Sequence, residues 1–211
     1  MIRTIAAGAA GAVALAGLAA VAAVAADDGT GTGELRPVPE FAGIEDEAAR
    51  SAALFDEMAK VIEHPRCMNC HPRDDSPRQG DGIAMHEPPV VRGGEGGMGV
   101  PGMQCTTCHG PENVAFVGAE GAIPGHEVWH LPPVSMGWIG LSTPEICARI
   151  KDPGRNGGRD LAAILEHHAE DGLVGWAWHP GKGRAPAPGS QQAFGALTEA
   201  WIETGAHCPS G

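Results

Sequence analysis

The chain has 211 residues, with 14 Lys or Arg against 26 Asp or Glu and a net charge of −12 at pH 7. This acidity argues against nucleic acid or anionic lipid as a partner and favours a protein partner with a basic docking patch. The chain has 32 Gly and 18 Pro but only 4 Phe, 5 Trp and no Tyr. We therefore expect a cofactor or covalent cross-links to help organise its core.

Residues 1–26 have the composition of a secretory signal peptide. Arg3 is the only charged residue of this segment, an Ala-rich apolar run follows it, and small residues precede Asp27 at a cleavage site. The run is long enough to cross a bilayer, so an uncleaved membrane anchor is the alternative. Because the run is poor in Leu and acidic residues follow it, we predict export to the periplasm and no membrane span in the mature chain.

After the leader, one domain is expected. Residues 27–43 have the composition of a flexible linker, and residues 44–211 are assigned to the domain. Its first helix is predicted over residues 46–63, ended by Pro65. The helical spacing that indicates it is shared by Leu54, Phe55, Met58, Val61 and Ile62.

Two Cys-x-x-Cys-His strings carry the strongest functional signal. We call them the first motif (residues 67–71) and the second motif (residues 105–109). Their cysteines and histidines are Cys67, Cys70, His71, Cys105, Cys108 and His109. This spacing is the attachment signature of c-type haem, because two thiols so spaced can reach the two vinyl groups of a porphyrin and the adjacent His can bind the iron. We predict two covalent haem c groups, with His71 and His109 as proximal iron ligands.

Two other cysteine chemistries use similar spacings. Paired Cys-x-x-Cys units also bind zinc, but a zinc ribbon does not explain why His follows both pairs or why the chain is exported. A thioredoxin-like dithiol would need a βαβ setting, which the Gly- and Pro-rich surroundings of the motifs do not favour.

Residues 72–140 have almost no periodicity and are dominated by turn-forming residues. We predict loops wrapped on two porphyrins, with the haems supplying part of the core. The best candidates for distal iron ligands are His86, between the motifs, and His130, after the second motif, since a loop can fold over the far face of a ring. The alternatives are Met136, Met103, Met98 and His126. Bis-His ligation gives a lower reduction potential than His/Met ligation.

Regular structure is predicted again over residues 142–205. Ser142 and Glu145 have the spacing of a capping box at the start of a helix. A second helix is expected over residues 160–171, and a third begins at Ser190. The predicted fold class is therefore mainly α with extensive loops, a small dihaem cytochrome c domain in which the haems form part of the core.

Two cysteines remain after haem attachment. They are Cys147 and Cys208. In an exported protein a disulfide between them is expected, and a free thiol or an intermolecular bond is the alternative.

Several strings around the motifs point to a family. They are HPRCMNCHP at 64–72, WHLPP at 129–133, EIC at 145–147, KDPGRNGGR at 151–159 and GAHCP at 205–209. In these strings, residues 61–210 resemble exported dihaem c-type cytochromes that occur with molybdenum hydroxylases and are labelled isoquinoline 1-oxidoreductase subunits. The resemblance implies a molybdenum hydroxylase as redox partner, and His86 and His130 match histidine positions of that family. It implies no catalytic activity in this chain, whose sequence has no molybdopterin or iron–sulfur cluster motif.

The sequence thus predicts an electron-transfer protein or redox subunit that passes single electrons between a dehydrogenase and the respiratory chain. The alternative is a dihaem, peroxidase-like enzyme with one open iron coordination position. Binding of a small gas to an open haem is a third interpretation. We favour the electron carrier, because the chain is short and most of it is needed to enclose the haems.

Overall fold

The computed structural model describes residues 1, 33–94 and 96–211, so the predicted leader lies outside the described residues. The described residues form six α-helices, which are α1 (Glu47–Ile62), α2 (Pro65–Met68), α3 (Thr143–Lys151), α4 (Leu161–Glu170), α5 (Gly172–Gly175) and α6 (Gln191–Glu203). Six short strands pair as antiparallel hairpins, which are β1 (Arg78–Gln79) with β2 (Ala84–Met85), β3 (Gly99–Val100) with β4 (Met103–Gln104), and β5 (Val114–Ala115) with β6 (Ala122–Ile123). The chain is mainly helical with extensive loops, in agreement with the predicted class.

The longer helices begin and end close to where the sequence predicts. Asp46 caps α1 through a hydrogen bond from Ala49 N to its carboxylate. Asp160 caps α4, and Ser190 caps α6, in the same way. At the start of α3, the side chain of Glu145 accepts a hydrogen bond from Ser142 N at 2.8 Å, so the predicted capping box is present.

The three hairpins lie in residues 72–140, where the sequence analysis predicts only loops. Each strand has two residues, which is too short to leave an alternating pattern in the sequence. The hairpins bring distant loops together at a glycine. Leu131 N donates to Gly97 O at 3.0 Å, and a Cβ on Gly97, whose φ is +64°, would lie 2.1 Å from Leu131 O. Only glycine therefore allows the loop that carries His130 to approach this closely.

Helices α1, α4 and α6 pack around one hydrophobic core. Phe55 of α1 contacts Trp201 of α6, with ring centroids 5.2 Å apart. Six aromatic side chains belong to this core, which are Phe41, Phe55, Trp138, Trp178, Phe194 and Trp201. The chain itself therefore supplies an aromatic core in its helical part, and the predicted contribution of the haems concerns the loops of residues 72–140.

The segment before α1 packs onto the helical part. Residues 33–43 were expected to belong to a flexible linker, but Val38–Phe41 form a 3-10 helix and Phe41 is 1% exposed. Arg36 N also donates to the carboxylate of Glu57 at 2.9 Å. The apolar side chains of Leu35 and Phe41, isolated among polar residues, anchor the segment, so the packed domain extends to residue 33.

Cys147 and Cys208 form a disulfide with a Cα–Cα distance of 5.6 Å. Cys147 lies on α3 and is fully buried in the core. Hydrogen bonds also hold the tail, because Trp201 Nε1 donates to His207 O at 3.0 Å and His207 N donates to Ser51 Oγ at 2.9 Å. The cross-link thus ties the C-terminal tail to α3 beside α1 and α6.

Replacing both cysteines by Ala should lower the free energy of unfolding by at most about 4 kcal/mol, because the disulfide closes a loop of roughly 60 residues in the unfolded chain. Urea unfolding of the purified full chain, followed by circular dichroism, measures the change. Ala200→Gly, which weakens α6 and leaves the cross-link intact, is the control for general destabilisation. An unchanged urea midpoint in the cysteine variant would contradict this role of the disulfide.

Candidate functional site

The first motif lies on a helical turn. Pro65 opens α2, and the imidazole of His64 accepts a hydrogen bond from Arg66 N at 3.3 Å. His71 N then donates to Cys67 O at 3.1 Å. Proline in the first turn and a side-chain cap before it are typical helix-start features, so the local sequence accounts for this short helix.

The second motif has a similar turn without a preceding helix. Cys105–Thr107 form a 3-10 turn, and His109 N donates to Cys105 O at 2.9 Å. The backbone bond from the His to the first Cys is thus the same in both motifs. Two unrelated stretches of sequence therefore give each Cys-x-x-Cys-His string the same tight turn.

Both motif histidines use Nδ1 in the same way. His71 Nδ1 lies 2.8 Å from Met136 O, and His109 Nδ1 lies 2.7 Å from Pro124 O. Burial lowers the pKa of His71 to about 3, against the opposing effect of the Met136 hydrogen bond, and burial also lowers the pKa of His109. Both rings are therefore neutral at pH 7. Since a carbonyl can only accept, Nδ1 carries the proton and Nε2 keeps a lone pair through which an imidazole can bind a metal.

A tryptophan ring lies flat against each of these imidazoles. Trp138 stacks on His71 with ring centroids 3.5 Å apart and an interplanar angle of 4°. Trp129 stacks on His109 at 4.6 Å and 8°. Together with the Nδ1 hydrogen bond, this contact fixes the orientation of each imidazole.

A cavity with a volume of about 520 Å³ is lined by residues of the first motif region, by loops between residues 77 and 131, and by Trp176 and residues 182–184. This volume is in the range of small-molecule and cofactor sites. The motif residues that line it are Cys70, Cys105, Cys108 and His109. Phe116, Trp129 and Trp176, which lie outside the helical core, also line it. Both motifs thus contribute to one cavity whose lining includes three aromatic side chains.

The two thiols of the first motif are neutral in this setting. Burial raises the pKa of Cys67 to about 12 and that of Cys70 to about 11.

Within residues 33–94 and 96–211 there is no group of three or more His, Cys, Asp or Glu side chains placed to hold a metal ion. The four motif cysteines therefore do not converge as the ligands of a zinc ribbon.

His86 faces His109 across the cavity. Their ring centroids are 6.0 Å apart, and His86 Nδ1 lies 2.9 Å from Pro88 O, which leaves Nε2 as the free ring nitrogen. Two imidazoles that bind one metal ion from opposite sides, through bonds of about 2.0 Å, have ring centroids roughly 6 Å apart. The separation of His86 and His109 fits such a pair.

His130 lines the same cavity as His86 and His109. The sequence analysis assigns His86 and His130 to different haems, whereas the structure brings both to the cavity that contains the second motif. Among the described aromatic and imidazole rings, the partner of His71 is Trp138. Of the alternative candidates, Met103 lines the cavity and Met136 lies in the hydrophobic core.

The sequence analysis missed several polar residues that line the cavity, above all Arg66, Asn69 and Arg184. Arg66 directly precedes the first motif and Asn69 lies inside it, and their closeness in sequence to Cys67 and Cys70 is a signal that could have identified them. Arg184 gave no such signal, because it is brought to the cavity by a loop remote in sequence from both motifs.

No described helix is long and apolar enough to cross a membrane.

Comparisons with protein-family models, with curated proteins and with solved structures find no match to this chain.

Proposed function

We propose that the chain is a periplasmic electron-transfer protein or redox subunit with two covalently bound c-type haems. In this role it passes single electrons between a dehydrogenase and the respiratory chain and is not itself an enzyme. The observation that carries the proposal is the common geometry of His71 and His109, whose Nδ1 atoms are held by carbonyl oxygens at 2.8 and 2.7 Å. This is the arrangement that a metal-binding imidazole requires from its surroundings.

The residues present fit two haems in their chemistry. In each motif, two thiols would form the thioether bonds and the His would bind iron through Nε2. A haem iron held in this way supplies one-electron chemistry between its ferrous and ferric states. The stacked rings of Trp129 and Trp138 would limit rotation of the two imidazoles.

The two attachment sites are neighbours, which supports an internal relay. Cys70 of the first motif and Cys105 of the second line the same cavity. The closeness of Cys105 contributes to the raised pKa of Cys70, after the larger effect of burial. Two redox centres attached this close together provide a short path for an electron across a small domain.

The acidity of the chain supports a partner with a basic docking patch. The resemblance of residues 61–210 to cytochromes associated with molybdenum hydroxylases makes such a hydroxylase the proposed electron donor. Export by the N-terminal leader would bring the chain to the periplasm, where c-type haem attachment and the disulfide are both compatible with the oxidising conditions.

Optical and EPR spectra of the purified full chain in both oxidation states test the proposal. We expect two haems, low-spin ferric signals and little change of the Soret band on addition of cyanide, because protein ligands fill both axial positions. Protein matured without haem is the control for the absorption. A preparation matured with haem that carries none covalently would overturn the proposal.

One observation favours the alternative of a dihaem, peroxidase-like enzyme. His86 faces His109, whereas the described ring partner of His71 is Trp138. If the iron bound by His71 had an open position, cyanide or peroxide would shift the Soret band rapidly, and one ferric haem would be high spin. The same spectra therefore separate the carrier from the enzyme.

A further inference from the structure

The cavity has a positively charged lining in an acidic protein. Asp and Glu outnumber Lys and Arg by 26 to 14 over the whole chain, yet the basic side chains that line the cavity exceed the acidic ones. The basic residues are Arg66, Arg78, Lys182 and Arg184, and the acidic one is Glu87. A lining of this sign favours a ligand with negatively charged groups.

Arg66 is buried beside the first motif and has an unused donor. The residue is 3% exposed, and its Nη2 donates to the carboxylate of Asp81. Its Nε has no hydrogen-bond partner among the described residues. A buried N–H without an acceptor is costly and rare in folded proteins, so a bound ligand that accepts a hydrogen bond at this point would remove the cost.

Arg184 lies close to Arg66, and the two share one acidic neighbour. Ala185 N donates to the second carboxylate oxygen of Asp81 at 3.4 Å, which joins the Arg184 loop to the Arg66–Asp81 pair. Burial and then the charge of Arg66 lower the pKa of Arg184. Two guanidinium groups with a single carboxylate between them leave one positive charge uncompensated.

The other two cations of the lining have partners of their own. Arg78 binds the carboxylate of Asp74 at 2.6 Å, and Lys182 binds that of Glu120 at 3.1 Å. The side chain of Lys182 is also 52% exposed, so it belongs to the rim of the cavity. The unmatched positive charge therefore lies at Arg66 and Arg184.

We propose that Arg66 and Arg184 bind the carboxylate side chains of the porphyrin that occupies this cavity. Guanidinium groups suit this role, because their planar donors match the geometry of a carboxylate. The inference rests on the proposed function and adds the residues that orient the haem. Since a nearby positive charge favours the less positively charged, reduced haem, the two arginines raise the reduction potential of that haem.

Arg184→Gln tests the inference, with Lys182→Gln as matched control. Both variants remove one positive charge from the cavity lining, but only Arg184 is assigned to the porphyrin. Spectroelectrochemical titration of the full chain should show a lower midpoint potential for one haem in Arg184→Gln and a smaller shift in Lys182→Gln. The pH range over which that potential varies should also move upwards, because the carboxylate loses the cation that lowers its pKa.

Arg184→Lys keeps the positive charge but loses the planar guanidinium group. The midpoint potential of the affected haem in this variant should therefore lie between those of the wild type and Arg184→Gln. Arg184 is preferred to the buried Arg66 for substitution, since it is better placed to tolerate the change. Equal midpoint potentials and pH profiles in Arg184→Gln and Lys182→Gln, with two haems still bound, would overturn the inference. Absence of covalent haem from the wild-type chain would instead overturn the proposed function.

Discussion

Replacing Cys105 and Cys108 together by Ala should remove one of the two haems and leave the other attached. Each motif forms its own tight turn, closed by the backbone bond from the His to the first Cys, so the loss of one pair of thiols does not remove the other attachment site. The mass of the intact protein should fall by one haem, and the haem absorbance per chain should fall by half.

The reciprocal variant, Cys67→Ala with Cys70→Ala, should lose the other haem. A matched control comes from Cys147 and Cys208, which are joined to each other in the structure. Replacing that pair by Ala also removes two sulfur atoms but should leave both haems bound. Two haems per chain in either motif variant would show that the Cys-x-x-Cys-His strings have another purpose.

His86→Ala should convert one ferric haem from low spin to high spin without loss of covalent haem. The expected partner of His86 is His109, because their ring centroids are 6.0 Å apart and both line one cavity. The thioether bonds do not involve His86, so the haem should stay attached while its iron becomes accessible to cyanide. EPR and the cyanide-induced Soret shift measure the change. One of the two haems in each chain should become high spin.

His130→Ala and the double variant determine whether the two histidines serve different haems. If they do, as the sequence analysis predicts, each single variant converts one haem and the double variant converts both. His207→Ala is the control, since His207 is an exposed residue of the C-terminal tail and is not among the candidate ligands. Low-spin spectra retained in both single variants would contradict the assignment. A sulfur-to-iron charge-transfer band would then indicate Met136, Met103 or Met98 as ligands.

The helical part of the fold follows from the sequence because its signals are local. The apolar spacing of α1, the Ser142–Glu145 box and the acidic cap of α4 each depend on residues within a few positions of one another. The same holds for the short turn of the first motif. The packing of Phe41 was missed, because a single aromatic residue in a polar segment has no periodicity.

The geometry of the site depends on contacts between distant residues, which a single sequence does not reveal. The carbonyl partner of His71 is 65 positions away, and that of His109 is 15 positions away in a segment without regular structure. The residue types of the motifs predict the chemistry, since thioether attachment to a porphyrin would constrain their spacing. The pairing of His86 with His109 and the charge of Arg184 at the cavity depend instead on how the Gly-rich loops fold.

The self-contained core of α1, α4 and α6 has a consequence for biogenesis. Among the described residues, this core includes Met68 of the first motif and no residue of the second. If the chain is exported and matured as the proposed function requires, its helical part would have the contacts it needs to fold before both haems are attached. Early pairing of Cys147 with Cys208 in that part would prevent these two thiols from forming non-native disulfides with the other cysteines. The remaining four cysteines lie in the turns of the two motifs, with Cys108 exposed, and would be the thiols left for haem attachment.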